Sequence, residues 1–185
     1  MPNVSEHFLK FKEALLTGDA PFLGPQSRFS AIGEPELIRK LEDFSKAQRI
    51  SSSAQPLLRS AVFLWHDHLD ASHTLSQSIE TPEGSWLHGI MHRREPDYGN
   101  AKYWFRHVGQ HEAFPTLAER GAPLLDQHSE DLAARLLDGK NWLPFAFIDE
   151  CARAEQGVDA ALRSTLRQVQ AAEFDVLVEH ILSKT

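Results

Sequence analysis

The sequence predicts an all-α fold, and three observations carry that expectation. Apolar residues recur at intervals of three and four almost throughout. Strict apolar and polar alternation over four or more residues, the signature of a half-buried strand, is hard to find. Glycines and prolines cut the chain into pieces of helical length. About eight helices are expected, in one compact bundle-like domain over 1–185, because 185 residues suffice for one sizeable core and fall short of two.

Ser5 stands ahead of Phe8, Phe11, Leu15 and Leu16, with Gly18 behind them, which predicts an N-capped and glycine-terminated first helix. Residues 20–33 hold Pro21, Gly24, Pro25 and Gly33 and read as a surface loop. Pro35 suits the first position of a second helix, whose Leu37, Ile38, Leu41 and Phe44 keep the stripe to about Arg49 before Ser51, Ser52 and Ser53 break it. Leu57 to Ile79 contain neither Gly nor Pro, so a single helix of about six turns is expected, ended by Pro82 and Gly84. Trp86 to Glu95 give a shorter helix stopped by Pro96, and Asn100 to about Gln110 another, after a turn at Asp97, Tyr98 and Gly99. Downstream, Ser129 to Asp138 end at Gly139, and Pro144 to Gln156 end at Gly157. Val158 to Leu182 carry Leu162, Thr165, Leu166, Val169, Val176 and Leu177 on one stripe. No repeat, low-complexity tract or linker divides the chain.

Composition excludes several classes of function. The formal net charge of -7 argues against a nucleic-acid partner, which needs a broad cationic surface. Cys151 is the only cysteine, so the chain holds no internal disulfide and no CxxC-type zinc site, and a reducing compartment is expected. The first residues lack the order of a signal peptide, and no stretch approaches the ~18 apolar residues of a membrane span. The expectation is a cytoplasmic protein without a membrane partner. Nucleotide-binding GxGxxG and GxxxxGK[ST], the hydrolase GxSxG and an EF-hand loop are all missing. Cys151 lies beside Phe147 and Ile148 and reads as a structural thiol.

Seven of the ten histidines lie between His66 and His111, and three of the four tryptophans accompany them, so the segment 65–111 is where chemistry is expected. At 100° per residue, His66, Asp70, His73 and Gln77 fall within about 60° of one another on a helix. His88, His92 and Glu95 repeat the arrangement on the next one. Antiparallel packing would bring the rows together as a nitrogen and oxygen site for a divalent transition metal, with His66, Asp70, His88 and His92 as ligands. The opposing reading is a pair of solvated polar faces, since both helices carry apolar residues on the other arc and HxxxH lacks the general-base Glu of HExxH. His68 falls inside the apolar arc and is expected to be a neutral imidazole tied to backbone or carboxylate.

The segment 88–111 also gathers Arg93, Arg94, Glu95, Asp97, Asn100, Lys102, Tyr103 and Arg106 around one turn. Asn100 could cap the following helix and turn its N–H groups toward an anion, with the arginines and Lys102 as counter-charge. Equally, the arginines could pair with Glu95 and Asp97 and simply fix the turn. HGIMHRREPDYGNAKYWFRHVG, following WHDHLDASH, resembles a stretch found in a family of uncharacterised proteins of bacteria and fungi, over about a quarter to a third of the chain. The resemblance implies no substrate, cofactor or catalytic residue, and points only to 65–111 as a site.

The reading that follows is an enzyme acting on a small anionic molecule. His92, Glu95 and His66 would be its proton carriers, and Arg93, Arg94, Asn100, Lys102, Tyr103 and Arg106 its substrate-holding residues. A non-catalytic ligand-binding module and a helical scaffold are the alternatives. Oligomeric state is not legible.

Overall fold

The computed structural model describes residues 4–185, and among them the backbone forms ten α-helices and one minimal β-hairpin. The helices are α1 (Val4–Leu15), α2 (Glu34–Gln48), α3 (Ala54–Trp65), α4 (Leu69–Ser76), α5 (Pro82–Arg94), α6 (Tyr98–Val108), α7 (Phe114–His128), α8 (Glu130–Leu136), α9 (Pro144–Gln156) and α10 (Ala160–Ser183). Strands β1 (Leu137–Asp138) and β2 (Asn141–Trp142) pair antiparallel around Gly139, whose positive φ of 60° a side chain would resist. No helix among the described residues is long and apolar enough to cross a membrane.

α5 is the axis of the molecule. It packs against α3, α4 and α6, while α10 backs α1, α3, α7 and α9. Thr81 caps α5 by accepting the Gly84 N–H at 3.1 Å, and Pro82 occupies the first turn, where its missing N–H is harmless. Every residue from Glu83 to Arg94 is buried. A helix enclosed on all sides is ordinarily apolar all round. This one carries Trp86, Leu87, Ile90 and Met91 but also Glu83, His88, His92, Arg93 and Arg94, and each polar group must find a partner inside. Arg93 finds its partners on α10, in Glu173 at 2.5 Å and Gln170 at 3.2 Å, with its guanidinium over the Phe147 ring. Gly89 lets α6 approach closely, because a Cβ there would come within 2.7 Å of the Phe105 ring.

The expected six-turn helix is two helices. α3 ends at Trp65 and α4 starts at Leu69, with Asp67 between them in the left-handed region at φ 66°. The cause lies in distant residues. Asp67 accepts the Arg28 N–H and Nε at 2.9 Å each and Arg94 Nη2 at 2.7 Å. The same arginines cap α3, Arg94 donating to the Leu64 carbonyl at 2.5 Å and Arg28 to that of Trp65. Two cations at a helix C-terminus satisfy its orphan carbonyls and its dipole together. Burial presses the Arg94 guanidinium down to about 10, with Asp67 opposing, so it stays charged at neutral pH.

Other boundaries moved for local reasons. Pro82 opens a helix instead of ending one. α6 begins at Tyr98 because Asp97 is its cap, accepting the Asn100 N–H at 3.2 Å, and Asn100 is not. α7 has no counterpart in the sequence reading. The Ser5 cap lies outside the residues whose side chains are described.

Candidate metal centre

Three imidazoles meet where α4, α5 and α6 adjoin. His73 comes from α4, and His88 and His92 from successive turns of α5. Each offers a ring nitrogen, and the three nitrogens lie within 4.8 Å of one another. His88 is 2% and His92 6% exposed, while His73 is half-buried. The i, i+4 spacing puts His88 and His92 on one side of the helix with their Nε2 atoms 3.0 Å apart and their rings nearly parallel. Trp104 of α6 stacks on His88 at 3.9 Å, and His73 meets both α5 rings edge-on.

Hydrogen bonding constrains where the protons sit. Glu95 Oε2 lies 3.3 Å from His92 Nδ1, which favours the proton there and makes Nε2 the accepting nitrogen, taken here by the Asn100 amide. The Asn100 amide nitrogen stands 3.0 Å from that Nε2. His88 is the unresolved member. Its Nδ1 is buried with no well-aligned hydrogen bond, the Ser76 backbone being the one group that favours a proton on the ring, while its Nε2 faces His92 Nε2. If His88 carries its proton on Nε2, Nδ1 is an orphaned acceptor. If it carries the proton on Nδ1, two bare nitrogens oppose each other at 3.0 Å. Burial, then the neighbouring His92 and His73, presses the proton affinity of His88 down to about 4, and burial likewise lowers that of His92 against the pull of Glu95. Both rings are therefore neutral near pH 7, the form that ligates metal.

A divalent ion fits this donor set. Nitrogens bound at ~2.05 Å in a tetrahedron stand about 3.3 Å apart. The α5 pair is already near that spacing, and the third nitrogen has at most about 1.5 Å to close, within reach of a half-buried side chain on α4. Glu95 on His92 Nδ1 is the carboxylate that commonly orients a ligating imidazole. Among the described residues no fourth ligand joins the group, so an ion held by these three nitrogens would keep a coordination position free.

Several expected members are elsewhere. His66 does not meet His88 and His92: it is fully buried, accepts the Ile32 N–H on Nδ1 at 3.1 Å and donates from Nε2 to the Leu15 carbonyl at 2.8 Å, so both nitrogens are consumed in pinning α1 and the following loop to α3. Asp70 is exposed in the first turn of α4, because the break at Asp67 resets the helical phase and dissolves the row His66, Asp70, His73. Of that row only His73 reaches the cluster, and it was not among the ligands chosen from sequence. His68 is half-buried with Nε2 on the Ile32 carbonyl at 2.7 Å, as a structural imidazole should be.

The cationic pocket does not assemble either. Arg93 is committed to Glu173 and Arg94 to Asp67, both fully buried, so neither pairs with Glu95 or Asp97 nor faces a ligand. Lys102 pairs with Asp149 at 2.5 Å, and Tyr103 is 49% exposed against His107. Arg106 lies over the Phe145 ring on the far side of α6. The anion position at the α6 N-terminus is filled by the chain's own Asp97 carboxylate. Asn100, Glu95, His88 and His92 are the residues of the sequence-derived set that the fold gathers.

A second group went unnoticed in the sequence: Glu83, His111 and His180. Glu83 Oε1 takes His180 Nε2 at 3.1 Å and Lys184 Nζ at 2.8 Å, with His111 Nε2 at 3.8 Å. His111, then Lys184, hold the Glu83 carboxyl below the usual carboxylate range against the opposing effect of burial, and the distances give Lys184 the larger share. With its charge met by an ammonium, this group ties the end of α10 to the start of α5. Comparison with protein-family models, curated proteins and solved structures finds no match to this chain.

Proposed function

We propose that this chain is a divalent-metal protein whose His73, His88 and His92 hold the ion, and that the open position serves water-activating chemistry on a small molecule. The observation that carries the reading is the His88 Nε2, buried against Trp104 and only 3.0 Å from the Nε2 of a second neutral imidazole, with His73 beside both. Leaving a buried polar atom unpaired costs about 1–3 kcal/mol. An ion between the two Nε2 atoms relieves the opposition of two bare nitrogens that arises when His88 is protonated on Nδ1, since each ring then directs a lone pair at a cation. Three neutral donors leave a bound dication its full charge. It would acidify a coordinated water and attract a small anionic substrate without help from the arginines. Glu95 would orient His92, and Asn100 would hold a group at the open position.

Calorimetric titration of chelator-treated protein with zinc, cobalt and manganese tests this. One equivalent should bind tightly, and His88→Ala and His92→Ala should each abolish binding while far-UV dichroism is retained. Metal-independent behaviour of a folded wild type would end the reading. A non-catalytic metal site is the second possibility. The visible spectrum of the cobalt protein separates the two, because an ionising water shifts it with an apparent pKa near 7 and a closed site does not.

A further inference from the structure

Beyond the imidazole cluster, a cleft of about 530 Å³ opens on the other face of α6, between its C-terminal turn and the β2 to α9 junction. Its walls are mainly apolar, and Phe105, Phe114, Trp142 and Phe145 contribute aromatic rings. This size and lining suit a small organic ligand. Two features say what sort. Arg106 stands at the rim with its guanidinium 5.9 Å from the Phe145 ring, and among the described residues no carboxylate pairs with it. Every other arginine described in this segment is spoken for, Arg93 by Glu173 and Arg94 by Asp67. Trp142 lines the same cleft at 2% exposure, and its indole N–H meets no acceptor. At the mouth Phe145 is 40% exposed, so its ring is open to a ligand lying in the cleft.

We infer that this cleft between α6 and α9 binds a small carboxylate with an apolar, preferably aromatic, body. The ring would fill the space among Phe105, Phe114, Trp142 and Phe145, and the carboxylate would take the Arg106 guanidinium, the planar donor that suits it. The site is separate from the metal centre and does not depend on it: Asn100 and Trp104 serve one face of α6, and Phe105 and Arg106 the other.

The test uses 4-phenylbutyrate and its uncharged amide as probes, with chelator-treated protein, followed by amide chemical shifts and calorimetry. Saturable binding of the acid is expected, with the largest shifts at Gly109, Gln110 and Ala146. The amide should bind about tenfold more weakly, the usual worth of a charge-assisted pair. Arg106→Gln should erase that difference, and Phe145→Ala should weaken acid and amide alike. Both side chains are exposed, so neither change threatens folding. Equal affinity for acid and amide, shifts confined to other surfaces, or no saturation at millimolar probe would each overturn the inference.

Discussion

Replacing Asp67 with Asn should cost about 3 kcal/mol of stability, and the figure follows from what the carboxylate holds. Its two oxygens serve two guanidiniums whose side chains are 2% and 0% exposed. Removing one partner of a buried pair ordinarily costs about 3–5 kcal/mol, because the remaining charge stays desolvated. The lower end applies. Asn keeps one acceptor oxygen, Arg94 retains the carbonyls of Phe22, Gly24 and Leu64, and Arg28 those of Asp19 and Trp65. Asn is also the substitution that tolerates φ 66°, so backbone strain does not enter. Against a total of about 5–15 kcal/mol for a domain, the loss is large and readily measured. Urea unfolding at pH 7 is the assay, with the slope compared to exclude a change in the unfolded state. Because α4 hangs from this junction and carries His73, zinc affinity of the folded variant should fall as well. A loss under about 1 kcal/mol would refute the claim that charge pairing breaks the helix here.

Three further outcomes are expected. Glu83 titrates below its ordinary value in the folded protein, so its pairing stabilises above the unfolded carboxyl pKa of about 4.5 and is lost as pH falls below it; Glu83→Gln should cost about 1–2 kcal/mol at pH 7 and flatten the acid limb of a stability profile between pH 5 and 3. Cys151 is 1% exposed and burial pushes its thiol up to about 12, so iodoacetamide at pH 8 should label it only after denaturation, and rapid native labelling would contradict the burial. Glu95→Gln should lower metal affinity about tenfold without loss of fold, since it weakens the group that orients His92; unchanged affinity in calorimetry would remove Glu95 from the site.

What the sequence disclosed and what it hid divide by distance along the chain. Pro35, Ser129, Pro144 and Gly157 mark helix ends by acting on their own backbone or the next turn, and the helices they bound are close to where the spacing put them, except that the one expected to run from Ser129 to Asp138 stops at Leu136 and gives its last two residues to β1. The pair His88 and His92 was visible for the same reason, being one turn apart on a single helix. The break at Asp67 was not, because no Gly or Pro makes it: it depends on Arg28 and Arg94, 39 and 27 positions away. The same limit misplaced His66, whose partners come from Leu15 and Ile32, and the arginines, since Arg93 answers to Glu173 at a separation of 80. α7 was hidden by Gly121 and Pro123, which interrupt its period. In the Glu83 group, Glu83 and His180 are 97 residues apart, and no local pattern could join them.

Anomalous diffraction from crystals grown with zinc, recorded on both sides of the zinc edge, tests the central claim most directly. One strong peak is expected about 2.0–2.1 Å from a ring nitrogen of each of His73, His88 and His92, with a non-protein ligand completing the shell. A peak at Glu83, His111 and His180 instead, or none beside His88 at saturating zinc, would contradict it.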